Sequence, residues 1–77
     1  MTKLVIISPA KMAKILIKLG FKIIRQKGSH AFFQHSDSRA TVVPMHKGED
    51  LGKGIIKAIL NDIELSVEEY DRLRQEV

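Results

Sequence analysis

Apolar positions change their spacing along the chain, and each spacing predicts an element. Met12, Ile15, Leu16 and Leu19 recur at i, i+3, i+4 and i+7, the pattern of an amphipathic helix. Ser8-Pro9 ahead of them reads as an N-cap followed by proline at the first helical position, and Gly20 ends the helix. Lys11, Lys14 and Lys18 fall mainly on its other, solvated side. Phe21, directly after the glycine, is expected to pack back on the last helical turn.

From Ile23 to Gln34 the pattern becomes that of a hairpin, with β-branched and aromatic residues on either side of Gly28-Ser29. Glycine at the first central position suits a two-residue type II′ turn, which sets Lys27 opposite His30. Counting by twos, Lys27, His30, Arg25 and Phe32 project from one side, and Gln26, Ala31, Ile24 and Phe33 from the other. Ile24, Ala31 and Phe33 are read as core. Ser36-Asp37-Ser38-Arg39 is a polar turn, and Ala40-Thr41-Val42-Val43 a third strand stopped by Pro44. As a four-residue loop, that turn pairs Val42 with Phe33 on the core side and sets Val43 beside Phe32 on the open side.

Met45 to Asp50 is then a connecting loop. A second helix opens at Gly52-Lys53-Gly54 and is carried by Ile55, Ile59 and Leu60, with Leu51 and Ile56 on or near its apolar stripe. Its glycines lack the spacing and the Lys-Ser/Thr ending of a P-loop. Ser66-Val67-Glu68-Glu69 is a capping box opening a short acidic helix, with Val67, Tyr70, Leu73 and Val77 as its apolar side. The expected fold class is α+β: one small domain over residues 1–77, in the order α-β-β-β-α, with a three-stranded antiparallel sheet and a short C-terminal helix. Helices on one face leave the other in water, carrying two cations, an imidazole and an aromatic ring.

Composition narrows the partners. A chain of 77 residues has room for one modest core. Without cysteine it has neither disulfides nor a thiolate zinc site. The run Leu4-Val5-Ile6-Ile7 is too short for a signal-peptide core or a membrane span, so a cytoplasmic location and no membrane partner are expected. Thirteen Lys and Arg against nine Asp and Glu give a formal charge of +4, and the acids gather at Glu49-Asp50 and from Asp62 onward. The basic middle of the chain attracts phosphates. His30, His35 and His46 differ in their inferred directions, and no carboxylate is placed to complete a site, so neither metal nor cofactor is expected. His35 falls on the core-side register near the sheet's end and reads as structural.

His30 is the candidate for chemistry. An RNA strand cleaves itself when its 2′-hydroxyl loses a proton, its phosphate is neutralised and the leaving 5′-oxygen gains a proton. Imidazole, titrating near neutrality, serves as base or acid in such a step. Lys27 opposite His30 and Arg25 one rung further suit the phosphate, and Phe32 offers a base a ring to stack on. His46, beside Lys47, reads either as a hydrogen-bonding residue that orders its loop or as a second acid or phosphate ligand. By pattern alone, a polar residue flanking a turn is the better reading of His30.

Gly28-Ser29-His30 is preceded by Arg25-Gln26-Lys27 and followed by Val43-Pro44-Met45-His46-Lys47-Gly48. With the helix ending Leu19-Gly20-Phe21 and the helix start Leu51-Gly52-Lys53-Gly54, the sequence closely resembles the HicA (YcfA-like) family of small toxins. These are the RNA-cleaving halves of bacterial and archaeal toxin-antitoxin pairs. The resemblance covers nearly the whole chain, from Ser8 to the cap at Ser66-Val67-Glu68-Glu69. It implies a fold like the double-stranded-RNA-binding domain, an mRNA interferase activity that arrests growth, His30 as the catalytic residue, and a HicB-type antitoxin covering the site. Arg25, Lys27, Gly28, Ser29, Phe32, His46 and Lys47 are the expected RNA-binding residues around it. A non-catalytic RNA-binding module is the alternative, needing the same basic face but not the imidazole. A pure interaction protein would have no RNA affinity.

Overall fold

Ser8 and Pro9 start the first helix as their residue types require. In the computed structural model, which describes residues 3–77, α1 runs over Pro9–Lys18 and the Ser8 hydroxyl accepts the Lys11 amide at 3.2 Å. At the other end Gly20, with φ +99°, lets the chain reverse: its amide donates to Ile17 O at 3.0 Å and that of Phe21 to Leu16 O at 2.9 Å. This crossed pair of bonds satisfies two carbonyls of the last turn and drops Phe21 into the core.

The three strands β1 (Lys22–Lys27), β2 (His30–Gln34) and β3 (Ala40–Pro44) form an antiparallel sheet in that order. Gly28 has φ +59° while Ser29 is not among the residues with positive φ, as the type II′ turn requires, and Lys27 pairs with His30 as expected. Beyond Arg25↔Phe32 the register departs from the sequence reading. The next pair is Ile23↔Phe33, so Ile24 is bulged and, with Arg25, faces Phe32. Ile24 is accordingly not core; it is 60% exposed. No residue of β1 is buried, because the helices pack on β3 and on each other and leave the outer strand uncovered.

The second hairpin is also one residue out of the expected register. The His35 amide donates to Arg39 O at 2.8 Å and the Ser38 amide to His35 O at 3.0 Å, closing a three-residue loop in which Ser38 takes φ +83°. Four residues had been expected in that loop. Shortening it by one turns every side chain of β3 over: Val43 pairs with Ala31 and is buried, Val42 pairs with Phe32 on the open face, and Thr41 pairs with Phe33. The inward Thr41 hydroxyl bonds the Asp62 carboxylate at 3.0 Å.

That loop is tied to the helix layer by Arg39. Its side chain lies over the Phe21 ring at 5.3 Å, bonds Asp37 through Nε at 2.8 Å, and donates from Nη1 to Ile63 O at 2.5 Å. Ile63 ends α2 (Lys53–Ile63), whose last turn has no basic residue of its own, so Arg39 supplies the positive charge that a helix C-terminus favours. The Arg39 amide, and then its guanidinium, hold the Asp37 carboxyl below its ordinary range. His35, at the start of the loop, is half-buried with its ring edge-on to Phe21 at 5.1 Å, which agrees with a structural role.

Gly52 caps α2, and Ile56, Ile59, Leu60 and Ile63 are its buried residues. Ile55, placed on the apolar stripe by its spacing, is 42% exposed at the outer edge of the helix. In α3 (Val67–Glu76) the Ser66 hydroxyl accepts the Glu69 amide at 3.1 Å, and Tyr70 and Leu73 are buried. The Tyr70 hydroxyl donates to Val5 O, and burial pushes its pKa up. One apolar cluster links all three helices to β2 and β3. No helix among the described residues is long and apolar enough to cross a membrane.

Candidate functional site

The uncovered sheet face collects most of the residues singled out in the sequence. His30 opens the central strand, exposed, with Lys27 as its partner on β1 and Pro44 on β3. Opposed residues of neighbouring strands hold their Cβ atoms about 4.5–5.5 Å apart, so the Lys27 side chain borders the imidazole. The Met45 amide donates to Ser29 O at 2.6 Å, extending the ladder past Pro44 and bringing His46 to the Gly28-Ser29 end of the sheet. Phe32, two residues along β2, is half-buried, with the Arg25 guanidinium 5.3 Å from its ring centre. The guanidinium is thereby positioned without an acidic partner.

Charge is left over on this face. Ion pairs among the described residues engage Lys18, Arg39, Arg72 and Arg74, and none engages Arg25, Lys27 or Lys47. Among the described residues no side chain hydrogen-bonds the His30 imidazole. His46 and Lys47 differ from the rest. They lie in the loop packed against the start of α1, and Glu49 and Asp50 line the same hollow, so their charge is partly offset. Arg25 and Lys27 form the stronger cationic pair.

The sequence also matches the family model described as the HicA toxin of bacterial toxin-antitoxin systems, over residues 9–65. The chain belongs to the HicA toxin family. The matched span runs from the first residue of α1 past the end of α2, so the whole sheet and its open face lie within the family. The role this assigns is that of the toxin in a toxin-antitoxin pair, with an antitoxin as its partner. No curated protein matches the chain.

Within this toxin-family fold, the sequence reading missed one wall of the site. A groove of about 450 Å³ starts on the open face at Ile24, His30, Phe32 and Val42 and turns around the edge strand β3, past Thr41, to Ile55 and Asp62 of α2 on the helix side. The sequence pattern places Ile24 in the core, Ile55 on the apolar stripe of its helix and Val42 inward. Asp62 had no role at all. Tandem apolar pairs, Ile23-Ile24, Val42-Val43 and Ile55-Ile56, contain no alternation to say which member points out.

Proposed function

We propose that this toxin is an endoribonuclease that cuts mRNA and so arrests translation, with His30 as general acid/base and Lys27 and Arg25 as phosphate ligands. One observation carries the reading: in a HicA-family chain, an exposed imidazole stands beside a lysine on an open sheet face, and among the described residues neither has a side-chain partner. The 2′-hydroxyl of the RNA attacks the adjacent phosphorus as the P–O5′ bond breaks. His30 serves one end of the proton transfer, taking the hydroxyl proton or handing one to the departing 5′-oxygen, with water at the other end, and Lys27 neutralises the charge that builds on the phosphoryl oxygens. The products are a 2′,3′-cyclic phosphate and a 5′-hydroxyl. The nucleophile comes from the RNA itself, so the step calls for no metal, and cleavage in excess chelator should equal that in buffer.

Binding should be strongly salt-dependent. Each phosphate contact releases condensed counterions, so affinity for a single-stranded RNA should fall with a log–log slope of about −0.7 per contact. Lys27→Ala should flatten that slope by about one contact and lower turnover as well. A salt-independent affinity would instead indicate a protein-docking surface.

The antitoxin, of the HicB type, is proposed to lie over His30 and Lys27, presenting acidic groups to the cationic face. The purified complex should then leave RNA intact under conditions in which the free toxin degrades it. Equal cleavage by both would place the antitoxin elsewhere on the molecule.

A further inference from the structure

The open face changes its chemistry from strand to strand. Arg25 and Lys27 stand on β1, His30 and Phe32 on β2, and Val42 and Pro44 on β3, with the wall of α2 beyond. Strands lie about 4.8 Å apart, so the cations are roughly 10 Å from the apolar side, across which a nucleotide extends from its phosphate toward the far edge of its base. An RNA strand laid along the sheet therefore has one favourable orientation, with phosphates over β1 and base edges turned to the β3 edge, where the groove leads around to α2.

Asp62, exposed on α2, is the one acid among the described residues lining this groove. Its Oδ2 accepts the hydroxyl of Thr41, itself only 5% exposed, at 3.0 Å, which fixes the carboxylate against the ladder. Among the described residues Oδ1 has no hydrogen-bond donor. A carboxylate only accepts, so it selects base edges by the donors they present. Guanine offers two adjacent donors, N1–H and the N2 amine. Adenine and cytosine each set a ring-nitrogen acceptor beside their amine, and uracil flanks its N3–H with carbonyl oxygens.

We propose that the groove that turns around the β3 edge from the open sheet face to α2 is a base-recognition subsite, in which Asp62 reads the donor edge of a guanine in single-stranded RNA. This rests on the reading of the open face as an RNA-cleaving site and adds a sequence preference to it. Thr41, the partner of Phe33, is three rungs along the ladder from His30 and Pro44. At about 3.3 Å per residue that is roughly 10 Å, so the guanine lies about one or two nucleotides from the scissile bond. Single-stranded RNA is commonly read in this way, by unstacked bases hydrogen-bonded along their edges. The carboxylate also repels phosphates, which reinforces the base-inward orientation.

Two measurements test this. In the first, a randomised RNA is cut by the parent protein and by Asp62→Asn, and the bases flanking each cut are counted. Guanine should be enriched at one position near the cut with the parent, and that enrichment should vanish with Asp62→Asn, which keeps an acceptor for the Thr41 hydroxyl. In the second, the His30→Ala protein is titrated with an oligonucleotide carrying guanine, or inosine in its place, which lacks only the N2 amine. The guanine form should bind about tenfold more tightly, the low end of the discrimination a bidentate contact to a base edge gives. Equal affinity for the two, or an enrichment that survives Asp62→Asn, overturns the subsite. An absence of any cutting by the parent overturns the nuclease reading instead, and the inosine comparison then decides the subsite alone without needing the Asp62 variant to fold.

Discussion

Replacing His30 with alanine should reduce RNA cleavage by two to four orders of magnitude, the usual worth of a general acid/base, while leaving the fold and RNA affinity nearly intact. The side chain is exposed on the uncovered face and has no hydrogen-bond partner among the described residues, so its removal opens no cavity and strands no buried group. Arg25 and Lys27 remain to hold the phosphates. The variant and the parent, each expressed from an inducible promoter, should therefore differ completely in growth arrest and RNA integrity. Their melting curves should superimpose. A non-catalytic RNA-binding toxin predicts the opposite, since it needs the basic face and not the imidazole. If His30→Ala stays toxic and nucleolytic, the acid/base role moves to His46, which the ladder brings to the same end of the sheet.

The second large effect tests the register of β3. Val43→Asp should unfold the protein, whereas Val42→Asp should cost about 1 kcal/mol or less. Val43 is fully buried, and an unpaired carboxylate there costs several kcal/mol. A chain of 77 residues has a total stability of only about 4–12 kcal/mol at the usual per-residue value. Val42 is 37% exposed beside Phe32, and a carboxylate there reaches water. It would also stand in the groove next to the expected path of the RNA, so Val42→Asp should fold and yet bind RNA more weakly. Circular dichroism on the two variants separates the registers. Were Val42→Asp the one to unfold, the four-residue loop would be the correct reading of Ser36 to Arg39.

The elements and their order were legible in the sequence, because each rests on local chemistry. Ser8, Pro9 and Gly20 bound α1, Gly28 allows a positive φ at the turn, and Ser66 caps α3. These devices act within a few residues of themselves, and so did the pairing of Lys27 with His30, which brings the cation to the imidazole. The proposed site was therefore written in one short stretch, residues 25–32.

What the tertiary structure decided is which side of the sheet each remaining residue faces. A three-residue loop usually marks its left-handed position with glycine, and Ser38 holds that position here, so the signal was absent. Arg39 explains the outcome: closing the loop at His35 and Arg39 lets the guanidinium reach Ile63 O and the Phe21 ring, contacts between segments far apart in the chain. The bulge at Ile24 is of the same kind, since the outer strand has no helix above it to hold its second isoleucine inward. Local chemistry specifies turns and caps, but the choice between two neighbouring apolar residues is made by what packs against them. That choice turned Ile24, Val42 and Ile55 outward and built, with Asp62, the wall of the groove.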